Sequence, residues 1–284
     1  MTRYKKHVVL VGTARSGTSW LSELIARKKR YRLLFEPEHE TRTEKGYLIC
    51  DQYITVDNVK KDTRHYLRRI FKNRVDSDWI AQNSNRKFKR HLWPFIPKKY
   101  IIKFVRANLA AQYINENFRI PVIHIIRNPY DVIKSQKRSH FPWLTDLSRF
   151  SQQGELVDLI RLHFDFDITN YESLSTSARL TLRWCIENVS PLEVQRPYDY
   201  LSSVIKYEAL KQDVTLFKSL CVEFNLEPIA NIDEVYKKPS SKTHKNSSIR
   251  TKSDSNQELA DKEIVEISNV LRIFRTELYP IMDV

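Results

Sequence analysis

Apolar residues fall along this chain in two rhythms. Short unbroken runs such as Val8-Val9-Leu10-Val11 and Val122-Ile123-His124-Ile125-Ile126 have the pattern of strands buried on both faces. Elsewhere apolar positions return every three or four residues, as at Leu21, Leu24 and Ile25, which marks one face of a helix. On this basis strands are predicted at 7–11, 31–35, 100–105, 122–126 and 203–207. Helices are predicted at 18–27, 60–73, 109–117, 129–138, 156–170, 175–188, 210–224 and 256–277. Strands alternating with helices imply an α/β fold with a central parallel β-sheet and helices on both faces. In such sheets ligands sit beyond the carboxyl ends of the strands, where the winding reverses. Residues 38–56 keep neither rhythm and are expected to loop over that edge. With 284 residues, no internal repeat and no Gly/Ser linker, a single domain spanning 1–284 is expected.

The first strand runs straight into Gly12-Thr13-Ala14-Arg15-Ser16-Gly17-Thr18-Ser19-Trp20. Gly12 and Gly17 keep the spacing of the phosphate-binding loop G-x-x-x-x-G-K-[ST], but Thr18 stands in place of the lysine. That lysine grips the outer phosphates of a nucleoside triphosphate, so a different anion is expected. Loop amides and the start of the next helix supply partial positive charge. Arg15 adds a planar guanidinium that can bind two oxygens at once, and Thr18 and Ser19 add hydroxyl donors. The chain has only four glycines, so two at this spacing argue against an incidental turn.

A second strand-to-helix junction lies at 121–135. Asn128 suits an N-cap and Pro129 the first helical position. Arg127 leaves the strand end while Ser135 lies about two helical turns on, so both can reach one phosphate beside the helix.

Together the two segments resemble sulfotransferases that use 3'-phosphoadenosine 5'-phosphosulfate, or PAPS. Arg15-Ser16-Gly17-Thr18-Ser19-Trp20 resembles the family's 5'-phosphosulfate loop, and Arg127 with Ser135 resembles its 3'-phosphate element. The resemblance implies a fold like that of P-loop-containing nucleoside triphosphate hydrolases. It implies PAPS as donor co-substrate without a metal, held by Arg15, Ser16, Gly17, Thr18, Ser19, Trp20, Arg127 and Ser135. It also accounts for the absent lysine, since PAPS has no γ-phosphate. Ile205-Lys206-Tyr207-Glu208-Ala209-Leu210 resembles a family strand ending in Tyr-Glu-x-Leu, which implies that Tyr207 helps place the donor's base and ribose. Trp184 sits on a predicted helix where relatives carry an aromatic residue and an asparagine near the donor. The family's Arg-Lys-Gly closing motif is absent, and the basic segment 237–252 takes its place by position only.

Sulfuryl transfer needs a base for the acceptor hydroxyl. Phe35-Glu36-Pro37 resembles an arrangement in carbohydrate-type and bacterial relatives, which makes Glu36 the leading candidate, with His39 and His140 next. Pro37 is expected to hold Glu36 extended past the sheet; a salt bridge to Arg15 is its structural alternative. Arg15 is the candidate for stabilising charge on the leaving oxygen. The cytosolic branch has lysine there and a catalytic histidine further on, and an arginine cannot give up a proton in lysine's place. Lys103 offers a second catalytic cation; a solvent-facing lysine on an edge strand is the alternative.

Net charge changes the picture of partners. The chain carries +14, and 60–106 holds fifteen Lys or Arg against three acids. Such a face attracts an acidic glycan, a membrane surface or nucleic acid. No apolar run approaches the roughly 20 residues of a membrane span, and the start lacks a signal-peptide core. Cys50, Cys185 and Cys221 form no metal or disulfide pattern, so a cytoplasmic location is expected. The expected function is sulfuryl transfer from PAPS to a hydroxyl of a carbohydrate or polar metabolite, with a small molecule or glycan as acceptor and nucleic acid not expected as partner. The alternatives are a non-catalytic module binding a phosphonucleotide or nucleic acid, and a divergent P-loop kinase. Thr18 argues against the kinase, for which Asp51 and Asp131 are the available acids.

Overall fold

A computed structural model describes residues 4–82, 97–195, 197–240 and 258–283. Five strands, β1 (His7–Val11), β2 (Tyr31–Phe35), β3 (Lys99–Lys103), β4 (Val122–Ile126) and β5 (Ser202–Lys206), form one parallel sheet in the order β2-β3-β1-β4-β5. The chain sets β2 at the outside, returns to lay β3 against β1, and then crosses to β4 on the other side. Winding reverses at β1, so the loop after β1 and the end of β4 flank the switch point. A Cβ at Gly12 would lie 2.4 Å from the Ile125 carbonyl oxygen, so only glycine lets the two strand ends approach this closely.

Alternation along each strand divides the core between two faces. Val8, Leu10, Leu33, Ile101 and Ile123 point to one side, and Val9, Val11, Leu34, Ile102 and Val122 to the other. Only β5, at the edge, is largely unburied, which fits its Ser-rich start.

The helices are α1 (Thr18–Ala26), α2 (Lys61–Phe71), α3 (Asp78–Ala81), α4 (Ala111–Phe118), α5 (Pro129–Ser139), α6 (Ser148–Ser151), α7 (Gly154–Phe164), α8 (Thr176–Val189), α9 (Tyr207–Gln212), α10 (Val214–Glu223), α11 (Ile232–Val235) and α12 (Asp261–Ile273). α1 and α10 cover one face and α2 and α4 the other. α5, α7, α8 and α12 build a third apolar cluster that meets the sheet at Ile126. As the sequence predicts, the Asn128 side chain caps α5 by accepting from the Tyr130 amide at 3.0 Å, with Pro129 in the first turn.

Local chemistry explains where the predicted helices differ. The helix expected at 210–224 is split by Asp213, whose extended backbone ends α9 and whose side chain caps α10 through the Thr215 amide. That expected at 156–170 stops at Asp165, which takes a left-handed φ of 51°, and a 3-10 turn follows at Ile168–Ser173. α3 was not predicted; it is one turn nucleated by a Ser77 cap.

Candidate active site

After β1 the chain doubles back, with the Ser16 amide bonded to the Thr13 carbonyl at 3.0 Å. Gly17 has φ 93°, and a Cβ there would lie 2.3 Å from the Tyr207 ring. Arg15 also has a positive φ, 76°, a strain that persists only where surrounding contacts over-determine it. Those contacts come from three directions. Gln136 Nε2 donates to the Ala14 carbonyl at 3.0 Å, Asn188 Nδ2 to Thr13 Oγ1 at 2.8 Å, and Arg127 Nη1 to the Arg15 carbonyl at 3.1 Å.

Arg15 Nε then donates to Ser135 Oγ at 2.9 Å, so Arg15, Arg127 and Ser135 form one cluster. The Arg127 guanidinium lies over the Tyr207 ring at 5.0 Å. Its backbone is held from behind, the carbonyl by Trp184 Nε1 at 3.1 Å. Glu208 accepts from the Asn128 amide at 2.9 Å and from Tyr279 Oη at 2.8 Å. Burial, then the neighbouring Arg127 and Arg138, lower the proton affinity of Arg15. Among the described residues no carboxylate pairs with Arg15, and Arg127 has only the exposed Asp131 at 3.6 Å. Ser16 Oγ and Arg127 Nε are buried without partners among the described residues. Crowded guanidiniums beside orphaned polar atoms make a binding place for an anion.

On the other side of Arg15 opens a cavity of about 480 Å³ at the carboxyl ends of β1 to β3. Arg15, Thr18 and Ser19 form one wall, Glu36, Glu38 and His39 a second, and Lys103 and Arg106 a third. Trp79, Phe141 and Trp143 supply aromatic surface. Lys103 Nζ pairs with the Glu36 carboxylate and lies 4.0 Å from the centre of the Phe35 ring.

Two local expectations are corrected. Glu36 is not extended but has φ 44°, because its amide prolongs the β2–β3 ladder to the Lys103 carbonyl at 2.9 Å and its own carbonyl then accepts from the His39 amide at 3.1 Å, closing a turn around Pro37. Lys103 is not on an edge: β3 lies between β2 and β1, and the residue is 1% exposed. Glu36 pairs with this lysine rather than with Arg15.

The remaining candidates lie around this centre. His39 lines the cavity, its Nδ1 accepting from the Thr41 amide at 3.3 Å, and burial lowers its proton affinity. His140 is exposed at the C-cap of α5 and does not line the cavity. Trp20 sits in the core behind the loop, its Nε1 on the Tyr236 carbonyl at 3.2 Å and its ring edge-on to Tyr207. Asp51 is committed to Arg106 and Arg183 and Asp131 to the outer side of Arg127. Residues 241–252 of the basic segment 237–252 lie outside the described residues.

A family model described as the sulfotransferase domain matches residues 5–267. The chain belongs to the sulfotransferase domain family. No curated protein matches it. Among solved structures, the sulfotransferase domain from the curacin biosynthetic pathway is similar over 97% of this chain and 93% of its own, at 15% identity and a TM-score of 0.45. This sulfotransferase is therefore a sulfuryl-transferring enzyme, and its family implies a PAPS donor in general. Among the described residues no group of His, Cys, Asp and Glu is placed to hold a metal, and no helix is long and apolar enough to cross a membrane.

Several residues of the candidate site escaped sequence reasoning. Arg138, one turn beyond Ser135 on α5, adds the third guanidinium near Arg15; its helical spacing was a usable signal. Arg183, fully buried, bonds Glu187, Asp51 and the carbonyls of Leu144, Trp143 and Asp146, and so fixes the loop that brings Phe141 and Trp143 to the cavity. Its i,i+4 spacing to Glu187 was legible, but the long-range partner Asp51 was not.

Glu38 is the third. It is 1% exposed, and its Oε1 accepts from the Val105 and Arg106 amides at 2.6 and 3.1 Å, tying the loop after β2 to the loop after β3. Its Oε2 has no hydrogen-bond partner among the described residues. Burial and then the Glu36 carboxylate push its pKa up to about 7. A raised acid stabilises the fold fully below the ordinary carboxylate range and loses that contribution as pH rises through its folded value. Glu38→Gln keeps an acceptor for both amides without the charge. Its thermal midpoint should exceed that of the wild type by a margin that widens from about pH 5 to about pH 8. Calorimetry at several pH values reads that margin, and a margin independent of pH would contradict the buried charge.

Proposed function

We propose that this sulfotransferase moves the sulfuryl group of PAPS in line onto a hydroxyl of a carbohydrate or another polar metabolite, the whole chain 1–284 acting as one domain. The observation that carries the reading is the meeting of both anion elements at Arg15, through Ser135 Oγ at 2.9 Å and Arg127 Nη1 at 3.1 Å. A donor phosphorylated at both ends of its ribose needs two cationic places beside one loop, and the cluster fits that need. The unpartnered Ser16 Oγ and Arg127 Nε, and the Tyr207 ring against Gly17, fit such a nucleotide. Three free, buried thiols fit a reducing compartment such as the cytoplasm.

In this reading Arg127 and Ser135 bind the 3'-phosphate, Tyr207 flanks the base and ribose, and Trp20 supports Tyr207 from the core. Arg15, Ser16, Gly17, Thr18 and Ser19 hold the 5' end. The acceptor oxygen bonds to sulfur as the bond from sulfur to the 5'-phosphate oxygen breaks, leaving 3'-phosphoadenosine 5'-phosphate. Glu36 takes the acceptor proton. Arg15 and Lys103 offset the charge that grows on the leaving oxygen, as in other group transfers dominated by positioning and electrostatics. Because Lys103 rests on Glu36, protonation of the carboxylate frees the ammonium at the moment that charge appears.

Two variants separate binding from chemistry. Glu36→Gln should lower turnover of radiolabelled PAPS with an acceptor panel by about 10²-fold or more while leaving the affinity for 3'-phosphoadenosine 5'-phosphate nearly unchanged. Full activity would move the base elsewhere, with His39 the next group in the cavity. Arg127→Ala should weaken that affinity by roughly tenfold or more, since a charge-assisted contact of about 1.5 to 3 kcal/mol is lost. Calorimetry reading an unchanged affinity would remove Arg127 from the donor site.

A further inference from the structure

Away from the catalytic cavity the described residues hold a second concentration of positive charge. α2 packs Thr63, Tyr66, Leu67 and Ile70 inward and leaves Lys61, Arg64, His65 and Arg68 exposed on the opposite side. With Lys45 from the preceding loop, these residues line a groove of about 590 Å³ in which Asp62 is the one acid among the described residues. Arg69, one position round the helix, pairs with Glu44 at 3.3 Å, whereas Lys45, Lys61, Arg64 and Arg68 pair with no carboxylate among the described residues. Arg64 and Arg68 stand one turn apart and repel, and Lys60 and Lys61 crowd the helix start, where the dipole disfavours cations. A helix face assembled against its own electrostatics is stabilised by an anionic occupant.

The groove has a neighbour that narrows the choice of anion. Val59 walls both the groove and a cleft of about 380 Å³. That cleft is lined by Tyr47, which is half exposed, by Tyr53, by the amide side chains of Gln52, Asn58 and Gln153, and by one acid, Glu155, which accepts from Asn58 Nδ2 at 2.6 Å. Flat aromatic rings beside amides suit sugar rings, and the adjoining cations suit acid groups carried on them. α2 stands between the groove and the catalytic segment, since Tyr66 Oη on its inward face donates to the carbonyl of Pro37, next to Glu36, at 2.7 Å. Resting on the acceptor reading above, we infer that the groove lined by Lys45, Lys61, Arg64 and Arg68, with the adjoining tyrosine cleft, binds the non-reacting stretch of a polyanionic glycan acceptor bearing carboxylate or sulfate groups.

The test titrates the full chain, its donor site saturated with 3'-phosphoadenosine 5'-phosphate, with polygalacturonate, dextran sulfate and neutral dextran. Both anionic glycans should bind and neutral dextran should not. Arg64→Ala with Arg68→Ala should weaken anionic binding by roughly tenfold at about 50 mM salt, with the difference shrinking as salt is raised. Both side chains are exposed and repel each other, so the variant should keep at least the wild-type thermal midpoint and an unchanged nucleotide affinity. Equal glycan binding by variant and wild type would overturn the inference. So would equal binding of neutral dextran, or tighter binding to single-stranded DNA or to phosphatidylglycerol vesicles. Loss of nucleotide binding by the wild type would instead count against the donor reading, so the two failures are distinct.

Discussion

Like-charge crowding at Arg15 is the constraint on which the rest of the site depends. The reversal of winding at β1 sets the loop after β1 beside the end of β4, so a guanidinium from each strand end must share one small volume. Arg15 is held there with a left-handed backbone, half-buried, beside Arg127 and Arg138, and without a carboxylate among the described residues. Three side chains from α5, α8 and the β4 end fix the loop in that state. The fold thus maintains an arrangement that is unfavourable alone and favourable around an anion, which is how preorganised sites store binding energy.

The opposite wall works by pairing charges rather than crowding them. Lys103 is almost fully buried and meets Glu36 in a cavity also walled by Trp79, Phe141 and Trp143 and by Arg106, which is bonded to Asp51 and Glu40. Removing both charges from water is costly, and the pair offsets that cost only while its partners stay in place. Two buried ties keep them there. Glu38 fastens the loop after β2 to the loop after β3, and Arg183 with Asp51 and Arg106 stiffens the outer wall, where Trp143 lies against both guanidiniums at 4.6 and 5.2 Å.

Unbroken apolar runs such as Val8 to Val11 made the inner strands legible because each is buried on both faces, whereas β5, at the edge, is only partly buried. Helix ends were harder, because Asp165 and Asp213 stop helices through backbone conformation and capping that apolar periodicity does not register. Local spacing pointed to Arg15, Arg127 and Ser135, and the structure brings them together. Partners contributed by distant segments were invisible, and Asp51 joining Arg183 across 132 residues is the plainest case. Glu36 shows the limit of a dipeptide rule: the residue before a proline was expected to be extended, but a ladder bond to Lys103 and a turn to His39 set its backbone instead.

The central claim, that one nucleotide with phosphates at both ends of its ribose spans the two cationic elements, is tested most directly by comparing the wild type's affinities for 3'-phosphoadenosine 5'-phosphate and adenosine 5'-phosphate. A shared phosphate contact worth about 1.5 to 3 kcal/mol predicts a preference of at least roughly tenfold for the doubly phosphorylated nucleotide. Equal affinities, or tighter binding of magnesium ATP than of either, would contradict the account.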